Sequence, residues 1–187
     1  MKSHHHFTVL GTESPRLTIG DAVPDVAFED IDGSRSSIGK LRDKIQVVTF
    51  ANQKNVPKLR SWLREAGLRV AREYPKLDVV LVGFADVSGT PKLLQRMVKP
   101  LLRTINDISK DELETAYGHR DVLHLTPDWD GGYMKQFGLK RSEKYTCWVV
   151  AQGTIVGSFD DDTPRIEDKF NNLFKHIADI STLHGPC

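Results

Sequence analysis

The apolar positions of this chain alternate between short unbroken runs and long helical stripes. Ile45-Gln46-Val47-Val48-Thr49-Phe50-Ala51 is β-branched and nearly continuous, the composition of a central strand covered on both faces. After Pro57, Leu59, Trp62, Leu63, Ala66, Val70 and Tyr74 recur at helical spacing until Pro75 stops the helix, with Gly67 in its middle. Asp78 to Ala85 forms a second buried-strand run, and strand, helix, strand in this order predicts a right-handed parallel crossover. Thr90 as N-cap and Pro91 in the first turn then open a helix with Leu93, Leu94, Met97, Val98, Leu101, Leu102 and Ile105 on one face and a kink at Pro100. Ser109 and Glu112 have capping-box spacing, which predicts a separate short helix ending at Gly118.

The flanking segments complete the pattern. Val23 to Ile31 and Ser34 to Ile38 predict a hairpin across Asp32-Gly33. Later, Val122 to Leu125 predicts a strand and Tyr133 to Phe137 a helical turn. Tyr145 to Ala151 and Thr154 to Phe159 predict a second hairpin across Gln152-Gly153. Thr163-Pro164 starts a last helix carrying Ile166, Phe170, Leu173, Phe174, Ile177 and Ile180. Residues 1–17 lack periodicity and are expected to form a mobile arm, 18–181 one domain, and 182–187 a tail.

A length of 187 residues suits one domain able to bury roughly 70% of its unfolded surface without a metal or disulfide staple. A net charge of +1 supplies no field that would favour nucleic acid or an anionic membrane. No stretch approaches the roughly 18 apolar residues of a membrane span. The two cysteines, Cys147 and Cys187, are too sparse for a secreted disulfide scaffold, so a reducing, cytoplasmic compartment is expected. His4, His5 and His6 fit a tag remnant or a native tail, and a tag in place of a leader would leave the compartment open.

Gly20-Asp21-Ala22-Val23-Pro24-Asp25, then Asp30-Ile31-Asp32-Gly33 with Ser37-Ile38, then Val47-Val48-Thr49-Phe50 occur in a familiar order. Tyr133 to Gly138 and Thr146-Cys147-Trp148-Val149-Val150 with Gly153 extend it. Together they resemble the redoxin branch of the thioredoxin superfamily, which includes peroxiredoxins and thiol-disulfide oxidoreductases, across roughly residues 18–180. The resemblance implies an α/β, thioredoxin-like three-layer sandwich with a mixed central sheet, an N-terminal hairpin and a helical insertion at about 89–118. It also implies a thiol site at the strand-to-helix turn, and there the chain departs from the family. Asn55 and Lys58 stand at the two aligned cysteine positions, and Tyr145 replaces the cis proline before Thr146. A non-proline cis bond costs about 2.5 to 4 kcal/mol, so a trans bond is expected.

The family's redox chemistry therefore does not carry over. The expected function is binding, to a protein partner or to a small anion near Lys54, Asn55 and Lys58, with Tyr145 and Thr146 as the altered wall and no cofactor. A solvated loop is the plainer reading of Lys54, Asn55 and Lys58. The competing class is a thiol peroxidase or thiol-disulfide oxidoreductase using Cys147, with Cys187 if the tail folds inward. A cysteine inside an apolar strand is ordinarily inert. His119, His124, Asp128 and Asp130 match no metal-binding spacing and read as a turn, so no metal is expected. Lys92, Arg96, Lys99 and Arg103 form a basic stripe that reads as a solvated helix face, with lipid or partner contact the alternative. Asp160, Asp161 and Asp162 are expected to favour the N-terminal end of the last helix.

Overall fold

The structure is a computed structural model that describes residues 17–119, 121–140 and 144–183. The expected arm except for Leu17, and Cys187, lie outside the described residues. In chain order the elements are β1 (Ala27–Glu29), β2 (Arg35–Ser37), β3 (Ile45–Asn52), α1 (Val56–Glu73), β4 (Val79–Asp86), α2 (Lys92–Tyr117), β5 (Leu123–Asp128), α3 (Gly132–Gln136), β6 (Thr146–Ala151), β7 (Thr154–Asp160) and α4 (Ile166–Leu183). The five-stranded sheet has the order β5-β4-β3-β6-β7, and β1 and β2 form a separate two-stranded sheet. The β-branched run from Ile45 is the middle strand, parallel to β4 and antiparallel to β6.

Strand alternation divides the interior into two layers. Val47, Ala51, Val79, Leu81, Cys147 and Val149 face α1 and α4, where Trp62, Phe170 and Phe174 fill the space. Val48, Phe50, Val80, Val82 and Trp148 face the other way, against Phe28 of β1 and Phe137 beside α3. This is an α/β three-layer arrangement with a mixed central sheet. At the β6–β7 hairpin, Gln152 and Gly153 both have positive φ, 52° and 79°, as a two-residue primed turn requires.

Several boundaries differ from the sequence pattern. The first hairpin closes by a five-residue turn, Asp30 to Ser34, in which the Asp30 amide donates to the Ser34 carbonyl at 2.8 Å. The two helices expected between 89 and 118 are one. Pro91 takes the cap position in place of Thr90, and α2 then continues past Pro100 through Ser109. Capping-box spacing is here simply two half-buried polar positions of a continuing helix. The last helix starts at Ile166, with Glu167 and Asp168 in its first turn. Asp160 instead closes a local turn with Thr163, while Asp161 pairs with Lys58 and Asp162 with Lys144.

The largest departure concerns α2's apolar stripe. Leu93, Leu94, Met97 and Leu101 are 82%, 46%, 72% and 58% exposed, and the helix buries only Asn106 and Leu113. Polar bonds on its other flanks set this orientation. Arg103 Nε donates to the Ile31 carbonyl at 3.1 Å, and Lys110 lies 3.8 Å from Asp32, so the basic side leans on the hairpin turn. On the α1 side, Arg64 clasps Glu112 and the Tyr117 hydroxyl donates to the Gly67 carbonyl at 2.9 Å. No helix among the described residues is long and apolar enough to cross a membrane.

Candidate functional site

The β3–α1 turn is the place where the resemblance puts thiol chemistry. β3 ends at Asn52, and α1 begins at Val56 with Pro57 in its first turn. Two asparagines shape the turn between them. The Asn52 amide donates to Asn55 Oδ1 at 2.9 Å, and Asn52 Oδ1 accepts from the Lys54 amide at 2.9 Å and the Asn55 amide at 3.3 Å. Asn55 is 4% exposed, which corrects the expectation of a solvated loop at that residue. Its carboxamide is turned back onto the strand, and it gives α1 no side-chain cap.

Lys54 and Lys58 remain at the surface, and Lys58 Nζ lies 3.4 Å from Asp161 Oδ2. A carboxylate of the chain itself thus stands beside the helix start, where an external anion would otherwise gain from free backbone amides. Tyr145 is buried, with its ring centroid 6.3 Å from that of Trp62, and burial is the main reason its phenol is pushed above the usual range. No cis peptide bond occurs among the described residues, as expected for Tyr145-Thr146. Thr146 is also buried and pairs with Phe50 and Asp160.

Cys147 lies on the α1 and α4 face of β6, between Thr49 and Phe159 in register, and has no exposed surface. Burial alone pushes its thiol far upward, the opposite of the shift a nucleophilic thiolate needs. Strand alternation aims Cys147 away from the side that Thr146 takes and directs the sulfur into the core.

The residues considered for a metal do not converge. His124 Nδ1 is 2.7 Å from Asp30 Oδ2, and its Nε2 is 3.1 Å from Asp121 Oδ1. Asp128 Oδ2 accepts from the Met134 amide at 3.0 Å, and Asp130 Oδ1 accepts from the Gly132 amide at 2.9 Å, the latter an Asx turn. Among the described residues, no group of three or more His, Cys, Asp or Glu side chains could hold a metal ion. The Asp30–His124 pair is a feature that sequence reasoning missed. It joins the first hairpin to β5 across 94 positions, and no local spacing reveals such a partner.

No family model matches the sequence, and no curated protein matches it. Solved structures do match. The thiol:disulfide interchange protein DsbE from Chlorobium tepidum is 13% identical with a TM-score of 0.57, over 87% of this chain and 99% of that one. BsSco, of the Sco family of cytochrome c oxidase assembly proteins, gives 13% and 0.57 over 87% and 96%. The exposed lipoprotein thioredoxin of Streptococcus pneumoniae gives 12% and 0.52 over 82% and 99%. The chain has the thioredoxin-like fold, with Asn55 and Lys58 at the positions where the resemblance expects two cysteines.

Proposed function

We propose that this protein is a redox-silent member of the thioredoxin-like fold that acts by binding a protein partner. The observation that carries the reading is the chemistry of the β3–α1 turn: a buried amide, Asn55, and a lysine paired with Asp161 stand where a thiolate would have to form. Neither side chain can form a disulfide or transfer an electron pair to one. The one described cysteine, Cys147, is sealed in the core with its thiol held protonated. A protein partner is favoured over a small anion because Lys58 already has a carboxylate beside it, whereas α2 presents Leu93, Leu94, Met97 and Leu101 to solvent.

The test is a pair of assays, peroxide consumption and insulin-disulfide reduction, on the native sequence and on Cys147→Ser. Both proteins are expected to show only the background rate. Thiol-dependent turnover that disappears in Cys147→Ser would overturn the reading in favour of a thiol enzyme.

A further inference from the structure

Beneath α2, the same strands that pack tightly at one end leave space at the other. On the face that meets α1 and α2, the early positions of the parallel strands carry Val47, Val79 and Leu81, and the late positions carry Thr49, Ala51, Gly83 and Ala85. Thr49 and Gly83 are direct register partners, as are Ala51 and Ala85. Small side chains there cannot reach the helices, and a half-open cavity of about 150 Å³ lies between the sheet, α1 and α2. Its walls include Leu59, Leu63, Leu102, Ile105 and Leu125. An apolar cavity of ~150 Å³ is large enough to hold a benzene ring.

Two polar features give this cavity a direction. Thr49 lines its floor, is 7% exposed, and has no hydrogen bond from its hydroxyl among the described residues. At the rim stand two guanidinium groups and one carboxylate. Arg64 takes both oxygens of Glu112, whereas Arg60 donates only to Ser109 Oγ at 3.3 Å and has no carboxylate within ion-pair distance among the described residues. The mouth of the apolar cavity thus holds two guanidinium groups against one carboxylate, with Arg60 acting on Glu112 only through its charge.

We infer that this cavity binds a small monocarboxylate with an apolar body of about one ring, the ring between α1, α2 and the sheet and the carboxylate on Arg60. An aryl or short branched-chain carboxylate fits both the volume and the charge. The carboxylate would accept hydrogen bonds from a guanidinium that otherwise serves one hydroxyl. The ring would replace any water over the small residues with dispersion contacts. The inference goes beyond the redox question, since none of these residues belongs to the β3–α1 turn.

Benzoate is the probe, and benzamide is its neutral counterpart. Titration is followed through the methyl resonances of Leu59, Leu63, Leu102 and Leu125. Benzoate is expected to shift them with saturation below about ten millimolar, and benzamide to bind at least ~10-fold more weakly, as the loss of a charge-assisted pair implies. Arg60→Gln lies at the surface and is expected to remove that preference while the fold stays intact. Gly83→Val from the floor and Leu102→Phe from the roof are expected to fill the space and abolish the shifts, with cooperative melting identifying the folded variants. The inference is overturned if benzoate moves none of these methyls, if benzamide binds as tightly as benzoate, if Arg60→Gln keeps the preference, or if a folded cavity-filling variant binds benzoate unchanged.

Discussion

Helices α1 and α2 carry similar apolar stripes and meet opposite fates. α1 buries Leu59, Trp62, Leu63, Ala66, Val70 and Ala71 against the sheet and α4, with Trp62 edge-on to Phe170 at 5.5 Å. α2 is longer, 26 residues against 18, yet its Leu93, Leu94, Met97 and Leu101 point largely to solvent. The difference lies in what each helix finds beneath it. α1 meets Val47, Cys147 and the aromatic side chains of α4, whereas α2 overlies small residues from Leu102 onward, where polar bonds fix it to the hairpin and to α1, and its first half carries the exposed Leu93, Leu94, Met97 and Leu101. Periodicity reports that a helix has an apolar face, and only the partner surface decides whether that face is covered.

The contrast can be broken most strongly at Trp62. Trp62→Ala is expected to cost about 3–5 kcal/mol in urea unfolding, as deletion of a packed aromatic does. A cost below about 1 kcal/mol would mean that α1 is not the packed helix described here.

The alkaline limb sharpens the same side of the comparison. Burial raises the Cys147 thiol in the folded state above its unfolded value near ~8.5. The unfolded chain therefore loses the proton first. The contribution is fully present below about pH 8.5 and declines above it, by up to ~1.4 kcal/mol per pH unit. In a Cys187→Ser background, Cys147→Ala should lose less stability between about pH 8 and about pH 10 than its parent. Equal slopes in the two proteins would show that the sulfur is not enclosed.

Smaller effects are expected where α1 and α2 touch. Tyr117→Phe removes the hydroxyl that donates to the Gly67 carbonyl and should cost about 0.5–1.5 kcal/mol. A double-mutant cycle on Arg64 and Glu112, both partly exposed, should return ~0.2–1 kcal/mol, shrinking with salt. Last, Met97→Ser and Leu101→Ser should change stability by no more than ~0.5 kcal/mol, since nothing within the described chain covers them. A loss near that of Trp62→Ala would restore the symmetry between the helices.

The parts of the fold legible in the sequence are those with local causes. The continuous run at Ile45 announced the middle strand, and Gln152-Gly153 announced the second hairpin because two positive φ angles are needed there. Pro57 and Pro75 bracketed α1. The misreadings arose where a local signal was outweighed. Ser109 and Glu112 look like a helix start, but Glu112 serves Arg64 and Ser109 serves Arg60, and the helix runs through both. At the β3–α1 turn the missing thiols were visible outright, whereas the inward turn of Asn55 depends on Asn52 three residues earlier and its fit against β3. The cavity was unreadable because it arises from register: Thr49 meets Gly83 only once two distant strands are paired.

The Asp30–His124 contact has a temporal consequence. Together with the bonds from Gly20 to Ile155 and from Val23 to Gly153, it anchors the first-made segment of the domain to some of the last-made ones. As the chain leaves the ribosome, Asp30 must wait for 94 further residues, and Gly20 for 135, before these partners exist. Contacts of such long separation slow folding and leave an early, unsupported edge open to wrong pairings.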